Sequence, residues 1–190
     1  IPALSIGSEK PPPRRERRLP LTATEACRAA ANADSFRARV TAETGIRLEV
    51  IDRETEATLA VVGCSPLLDP NGRGAILFDI GGGSTELVRI ERDPADPNAV
   101  PRIKAWMSIQ LGVVTLAERF GGRDVTAATY AQMVREVAQY VAPFAAEHGA
   151  DLRDMHMLGT SGTVTTLAGV HLHLSRYDRR RIDGIWMNSS

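Results

Sequence analysis

The segment Phe78-Asp79-Ile80-Gly81-Gly82-Gly83-Ser84-Thr85-Glu86-Leu87-Val88 constrains this chain more than any other. Before it stands Ala75-Ile76-Leu77-Phe78, a short and wholly apolar run of the kind that forms a central strand buried on both faces. After it, Thr85 to Glu91 reads as a second strand, so the glycines form a tight turn between two buried strands. Three glycines let backbone amides approach an anion closely, because no Cβ stands in the way and φ > 0 is open to them. An ordinary hairpin needs one or two glycines and no buried acid before them. Gly81, Gly82, Gly83, Ser84 and Thr85 are therefore the candidate phosphate cradle, with the two hydroxyls beside the amides. Asp79 and Glu86 flank it. Carboxylates beside a phosphate repel it unless a hard cation lies between them, so the pair points to Mg²⁺ or Mn²⁺ held by Asp79 and Glu86.

A second turn, Gly159-Thr160-Ser161-Gly162-Thr163, follows the strand candidate Met155–Leu158 and opens a helix that continues to about Leu174. Free N–H groups and the positive dipole end suit phosphate there, and Ser161, Gly162 and Thr163 are the candidate contacts. Neither turn closes with Gly-Lys-Ser/Thr, so neither is a P-loop.

The remaining chain supplies an α/β frame. Leu21-Thr22-Ala23-Thr24 is a strand candidate, and helical composition runs from Glu25 to about Glu43, interrupted near Asn32-Ala33-Asp34, where Asp34 can cap a second helix. Gly45 ends that helix. Leu48-Glu49-Val50-Ile51 alternates as a strand, and Asp52 caps a helix from Arg53 to about Cys64. Arg92 to Pro101 is a hairpin loop with three prolines, and Arg102 to Gln110 returns as a strand, giving an antiparallel meander. Gly112 to Phe120 is a short helix. Thr126 caps a long one that carries Tyr130, Met133, Val134, Val137, Val141 and Phe144 on one face and stops at Gly149.

Composition excludes several classes. Lys plus Arg (23) balances Asp plus Glu (23), so no overall field points to DNA or to an acidic membrane. No apolar run approaches the roughly 20 residues of a membrane helix, and Ile1 to Pro20 lacks the features of a signal peptide. Cys27 and Cys64 fit no zinc spacing and read as reduced, buried thiols of a cytoplasmic protein. His148 and His156 have no partner in sequence, and His171 and His173 sit two apart on a helix, where they cannot face one metal. The chain begins with Ile, opens in a Pro- and Arg-rich stretch and ends at Asn188-Ser189-Ser190. This reads as part of a longer chain, with residues 1–20 disordered.

Asp-x-Gly-Gly-Gly-Ser-Thr between antiparallel strands resembles the second phosphate loop of the actin-like ATPase superfamily. Phe78 to Val88 is more specifically similar to the central motif of the exopolyphosphatase/guanosine pentaphosphate phosphatase family. Three further segments agree in order: Ala23-Thr24-Glu25-Ala26-Cys27-Arg28 with Asn32, Glu43-Thr44-Gly45-Ile46 through Glu56-Ala57-Thr58-Leu59, and Gly159 to Thr163. The resemblance implies a ribonuclease-H-like (actin-like) α/β lobe, a mixed sheet flanked by helices, over 69–190. Residues 21–68 would then be what remains of the preceding lobe.

It also implies a phosphohydrolase that releases terminal phosphate from polyphosphate or pppGpp, and homodimers of the longer protein. Glu56 occupies the position of the residue thought to orient or deprotonate the attacking water, with Glu54 as a neighbouring alternative. Taken alone, an acid in a helix's first turn simply favours the dipole. Arg28, Arg37, Arg39 and Arg179 to Arg181 can help to hold a polyanion, or are solvated surface charge. The family's first phosphate loop has no counterpart in Ile1 to Pro20, which implies weak or absent turnover for this chain. The alternative is a binding module that keeps the cradle and does no chemistry. A kinase of the superfamily would need an adenosine-binding segment, which is not recognisable here.

Overall fold

A computed structural model of the chain describes residues 21–93, 96 and 101–188. The expectations for residues 1–20 and for most of the loop between Arg92 and Pro101 lie outside them. Two sheets are present among the described residues. The smaller pairs β1 (Leu21–Ala23) in parallel with β2 (Leu48–Val50). Between these strands run α1 (Glu25–Ala29) and α2 (Ala33–Thr44), and α3 (Arg53–Cys64) follows.

Local chemistry accounts for these boundaries. The Asp52 carboxylate accepts the Thr55 N–H at 2.7 Å and caps α3. Gly45, at φ 72°, closes α2 in the left-handed conformation that glycine adopts without strain. Asp34 is not the α2 cap expected from sequence. Asn32 holds that position, and Asp34 lies within the first turn, paired with Arg37 at 3.3 Å.

The larger sheet has the order β5-β4-β3-β6. β3 (Gly74–Ile80), β4 (Thr85–Glu91) and β5 (Arg102–Ile109) form the expected meander. β6 (Met155–Thr160) then returns from the far end of the chain to lie parallel to β3, making the sheet mixed. Helix α4 (Val113–Arg119) and helix α5 (Ala127–His148) come between β5 and β6, while α6 (Ser161–His171) and α7 (Arg179–Ile182) follow β6.

Alternation along the strands divides the core in two. On one face Ala75, Leu77, Val88 and Ile90 pack with Ala57 and Val61 of α3. Leu77 and Val61 are fully buried, each contributing about 1.5–3 kcal/mol through burial. On the other face Leu87 and Ile109 pack with Leu111 and with Phe144 of α5.

The apolar stripe of α5 is covered only near its C-terminus. Phe144 is buried, whereas Tyr130 and Val134 are exposed. Periodicity reveals an apolar face but not how far its partner extends. Cys27 and Cys64 are free as expected, but half-buried rather than buried. His173 lies beyond the end of α6, at φ 51°, and not on the helix with His171.

Candidate functional site

Strand register brings four polar residues into one row. Ser108 faces Glu86 across β5–β4, Glu86 faces Asp79 across β4–β3, and Asp79 faces Thr160 across β3–β6. Directly opposed residues project from the same face of a sheet. That face is the one covered by α3, so Glu56, in the helix's first turn, lies on the side of the two acids. The three carboxylates named from sequence therefore share one surface, although they come from three elements.

Burial holds the Asp79 carboxyl above the ordinary carboxylate range; its bond with the Ser161 hydroxyl opposes this, and the charge of Glu56 adds to it. Glu86, only 4% exposed, is raised for the same reason. Bonds with Ser84 and Ser108 partly offset the effect, and the charges of Glu56 and Asp79 reinforce it. The Ser108 hydroxyl donates to Glu86 Oε1 at 3.0 Å.

The glycine turn is held from behind. Helix α4 spends the N–H groups of its first turn on the turn's carbonyls: Val113 to Gly81 O at 3.0 Å, and Val114 and Thr115 to Gly82 O at 2.9 and 3.2 Å. Gly112 makes this approach possible, because a Cβ there would stand 2.4 Å from Gly81 O. The Thr85 hydroxyl donates to Leu111 O at 2.7 Å, locking the same junction. With its carbonyls turned toward α4, the loop keeps free amides: among the described residues, the N–H groups of Gly82 and Gly83 have no backbone acceptor.

None of the three glycines has φ in the left-handed region, so of the two reasons given for them from sequence only the absence of a Cβ applies. What they provide is space. A Cβ on Gly83 would meet nothing closer than Glu25 Cγ, at 3.9 Å.

The second loop sits beside the first because β3 and β6 are parallel and both loops leave their carboxyl ends, where α/β sheets form ligand crevices. Thr163 Oγ1 donates to Ile80 O at 2.8 Å and ties the two ends together. Gly81 and Gly82 on one side, with Ser161, Gly162 and Thr163 on the other, line a cleft of about 560 Å³. Ser161 is held at φ 75°, which is strained for a residue with a side chain. Two of the hydroxyls nominated from sequence are committed within the protein: Thr85 and Thr163 donate to carbonyls. Those of Ser84 and Ser161 lie beside the Glu86 and Asp79 carboxyls. What remains for an anion is mainly backbone N–H, including the first turn of α6.

Arg28 occupies a position that sequence did not suggest. Its Nη2 donates to Glu56 Oε2 at 2.8 Å, its Nη1 to Ile51 O at 2.7 Å, and its Nε to Glu25 at 3.1 Å. It is thus engaged with the candidate base rather than open to a polyanion. Arg37, Arg39 and Arg179 are also paired locally, with Asp34, Glu43 and Asp183. Glu25, Arg53, Gln110 and Gly112 went unnoticed as site residues. Only the strand-to-helix junction at Gln110-Leu111-Gly112, with Thr115 three residues on, carried a local signal for the last two.

Among the described residues, no group of three or more His, Cys, Asp or Glu side chains converges on a metal position. The donor set nevertheless fits a hard divalent cation. Asp79 and Glu86 present two carboxylates on one face, and Mg²⁺ is commonly bound through one or two carboxylates, with phosphate oxygens and water supplying the rest.

Fold and site define a class: an α/β protein with two glycine-containing loops beside the buried Glu86 and the half-buried Asp79. Residues 16–183 match the Ppx/GppA phosphatase family, and the chain belongs to it. The guanosine-5'-triphosphate,3'-diphosphate pyrophosphatase of Vibrio parahaemolyticus is 31% identical over 153 residues, 80% of this chain and 29% of that protein. Its Aliivibrio fischeri counterpart is 30% identical over the same length. Among solved structures, an exopolyphosphatase-like protein superposes with a TM-score of 0.74 at 28% identity, over 86% of this chain and 51% of that one. The Aquifex aeolicus PPX-GPPA enzyme gives 0.65 at 29% identity, over 85% and 50%. The chain spans about three tenths of the length of these curated relatives and about half of the solved ones.

Proposed function

We propose that this chain carries the phosphate-binding and water-activating part of a phosphohydrolase that releases terminal phosphate from polyphosphate or from pppGpp. The observation that carries the reading is the placement of Glu56, Asp79 and Glu86 on one sheet face beside the free amides of the glycine turn. The amides of Gly82 and Gly83, with the first turn of α6 at Ser161, Gly162 and Thr163, bind and orient the terminal phosphoryl group. Asp79 and Glu86 would hold Mg²⁺ or Mn²⁺, which when bound neutralises charge on the phosphate oxygens. Arg28 engages Glu56 Oε2 and leaves Oε1 to accept a proton from water. That water attacks the terminal phosphorus in line, the anhydride P–O bond breaks with its electron pair going to the bridging oxygen of the shortened polyphosphate or nucleotide, and orthophosphate is released.

Turnover is expected to be low compared with the Aquifex aeolicus relative, since this chain spans half of that protein's length. A cytoplasmic location, no DNA partner, and homodimerisation of the longer protein belong to the same reading. No helix among the described residues is long and apolar enough to cross a membrane.

The second reading, a polyphosphate- or nucleotide-binding module without chemistry, is favoured by the engagement of Glu56 with Arg28. One experiment separates the two: orthophosphate release from long-chain polyphosphate and from pppGpp, with Mg²⁺, by the parent and by Glu56→Gln. Release that the substitution abolishes supports hydrolysis. Release that survives it contradicts the role of Glu56, and binding without release by either protein supports the module.

A further inference from the structure

Three elements converge on one guanidinium beside the glycine turn. Arg53, the first residue of α3, places Nη2 3.2 Å from both carboxylate oxygens of Glu25 and 2.9 Å from Gln110 Oε1. Both partners border the turn. Glu25 Cγ is the nearest heavy atom to a Cβ built on Gly83, and Gln110 precedes the Leu111–Gly112 junction that braces the turn from behind.

The two arginines that share Glu25 differ in availability. Arg28 is nearly enclosed, with all three of its nitrogens donating at 2.7–3.1 Å. The Arg53 side chain is 39% exposed, its bonds to Glu25 lie at the long limit for N–H···O, and its buried Nε has no acceptor. A buried donor left unpaired is costly, and a phosphate oxygen is a stronger, bidentate partner for a guanidinium than a shared carboxylate.

Resting on the phosphoanhydride reading above, we infer that Arg53 contacts the second phosphate unit of a linear phosphoanhydride, and that Glu25 is the counter-ion this phosphate displaces. The pair sets chain-length preference: the turn holds the terminal phosphate, and Arg53 responds only when another unit follows it. Glu25 thereby weakens binding of every ligand that needs Arg53, while Arg53 strengthens it. A purely structural salt bridge has no such opposition, since loss of either partner then acts in the same direction.

The test is calorimetric titration of the chain with Mg²⁺ present, using inorganic tripolyphosphate, guanosine 3',5'-bisdiphosphate and orthophosphate as separate probes. The variants are Glu25→Gln, Arg53→Gln, Arg53→Lys and the double variant Glu25→Gln/Arg53→Gln, with urea denaturation confirming that each is folded. Arg53→Gln is expected to weaken tripolyphosphate binding about tenfold, the scale of one charge-assisted bond, and Arg53→Lys less. Glu25→Gln is expected to tighten it, and the double variant to lose that gain. Orthophosphate binding is expected to stay unchanged throughout. The nucleotide arm shows whether the effect extends to nucleoside polyphosphates or is confined to inorganic chains, and either pattern supports the inference when tripolyphosphate responds as stated. Weakening by both single variants, no change in either, or an equal change with orthophosphate overturns it. Failure of the parent to bind any probe overturns the phosphoanhydride reading, and this inference with it.

Discussion

Arg28 Nη2 lies 2.8 Å from Glu56 Oε2, while Arg28 Nη1 is anchored to the carbonyl of Ile51 at the end of the small sheet. The candidate base is thus aimed by a residue from α1, not by its own helix. Arg28→Lys keeps a charge but cannot make these bonds simultaneously. It is expected to lower kcat for phosphate release by about tenfold or more, with KM little changed. Arg28→Ala also leaves the partly buried Glu56 without its cation and Glu25 with Arg53 alone. It is expected to cost about 1 kcal/mol in urea unfolding, allowing for solvent screening. Wild-type kcat in Arg28→Lys would contradict the positioning role.

Gly112 is where helix α4 touches the turn. In Gly112→Ala the new Cβ would stand 2.4 Å from Gly81 O and 2.5 Å from the Gly82 carbonyl, which are backbone atoms that cannot rotate away. The expected cost is about 1–3 kcal/mol by urea denaturation, with weaker phosphate binding because the turn must shift. An unchanged unfolding midpoint would show that α4 does not brace the loop.

The raised carboxyls of Asp79 and Glu86 give a pH signature in the absence of metal. The folded chain holds these protons more tightly than the unfolded chain, so stability falls as pH rises from the ordinary carboxylate range through the raised folded values, and the cost persists above them. Glu86→Gln removes one such group while keeping an acceptor for Ser108. In chelator, the stability of Glu86→Gln relative to the parent is expected to increase between about pH 4 and pH 7. A difference independent of pH would contradict the buried-charge account. Adding Mg²⁺ is expected to stabilise the parent more than the variant.

Much of this was readable from local chemistry. The caps at Asp52 and Thr126, the stop at Gly45 and the meander around Asp79 and Glu86 follow from patterns a few residues long. The placement of β6 beside β3 does not, because β4, β5, α4 and the 22-residue α5 lie between them, and the pairing of Asp79 with Thr160 is a long-range matter that local periodicity cannot encode. The hydroxyls of Thr85 and Thr163 have the right chemistry for an anion, and only the fold shows that nearby carbonyls accept their protons. Arg53 looked like an ordinary helix-start residue, and only the arrival of Glu25 and Gln110 from other elements singles it out.

The central claim is that the open side of the glycine turn is a phosphate site, and Gly83 tests it most directly. A Cβ there meets nothing within 3.9 Å, so Gly83→Ala is expected to fold with stability within about 0.5 kcal/mol of the parent. If the phosphate sits on the Gly83 amide as proposed, the methyl beside that amide crowds it. Calorimetric titration of tripolyphosphate in Mg²⁺ should therefore show saturable binding by the parent and at least tenfold weaker binding by the folded Gly83→Ala variant. Equal binding by the two proteins, or none by the parent, would contradict the account.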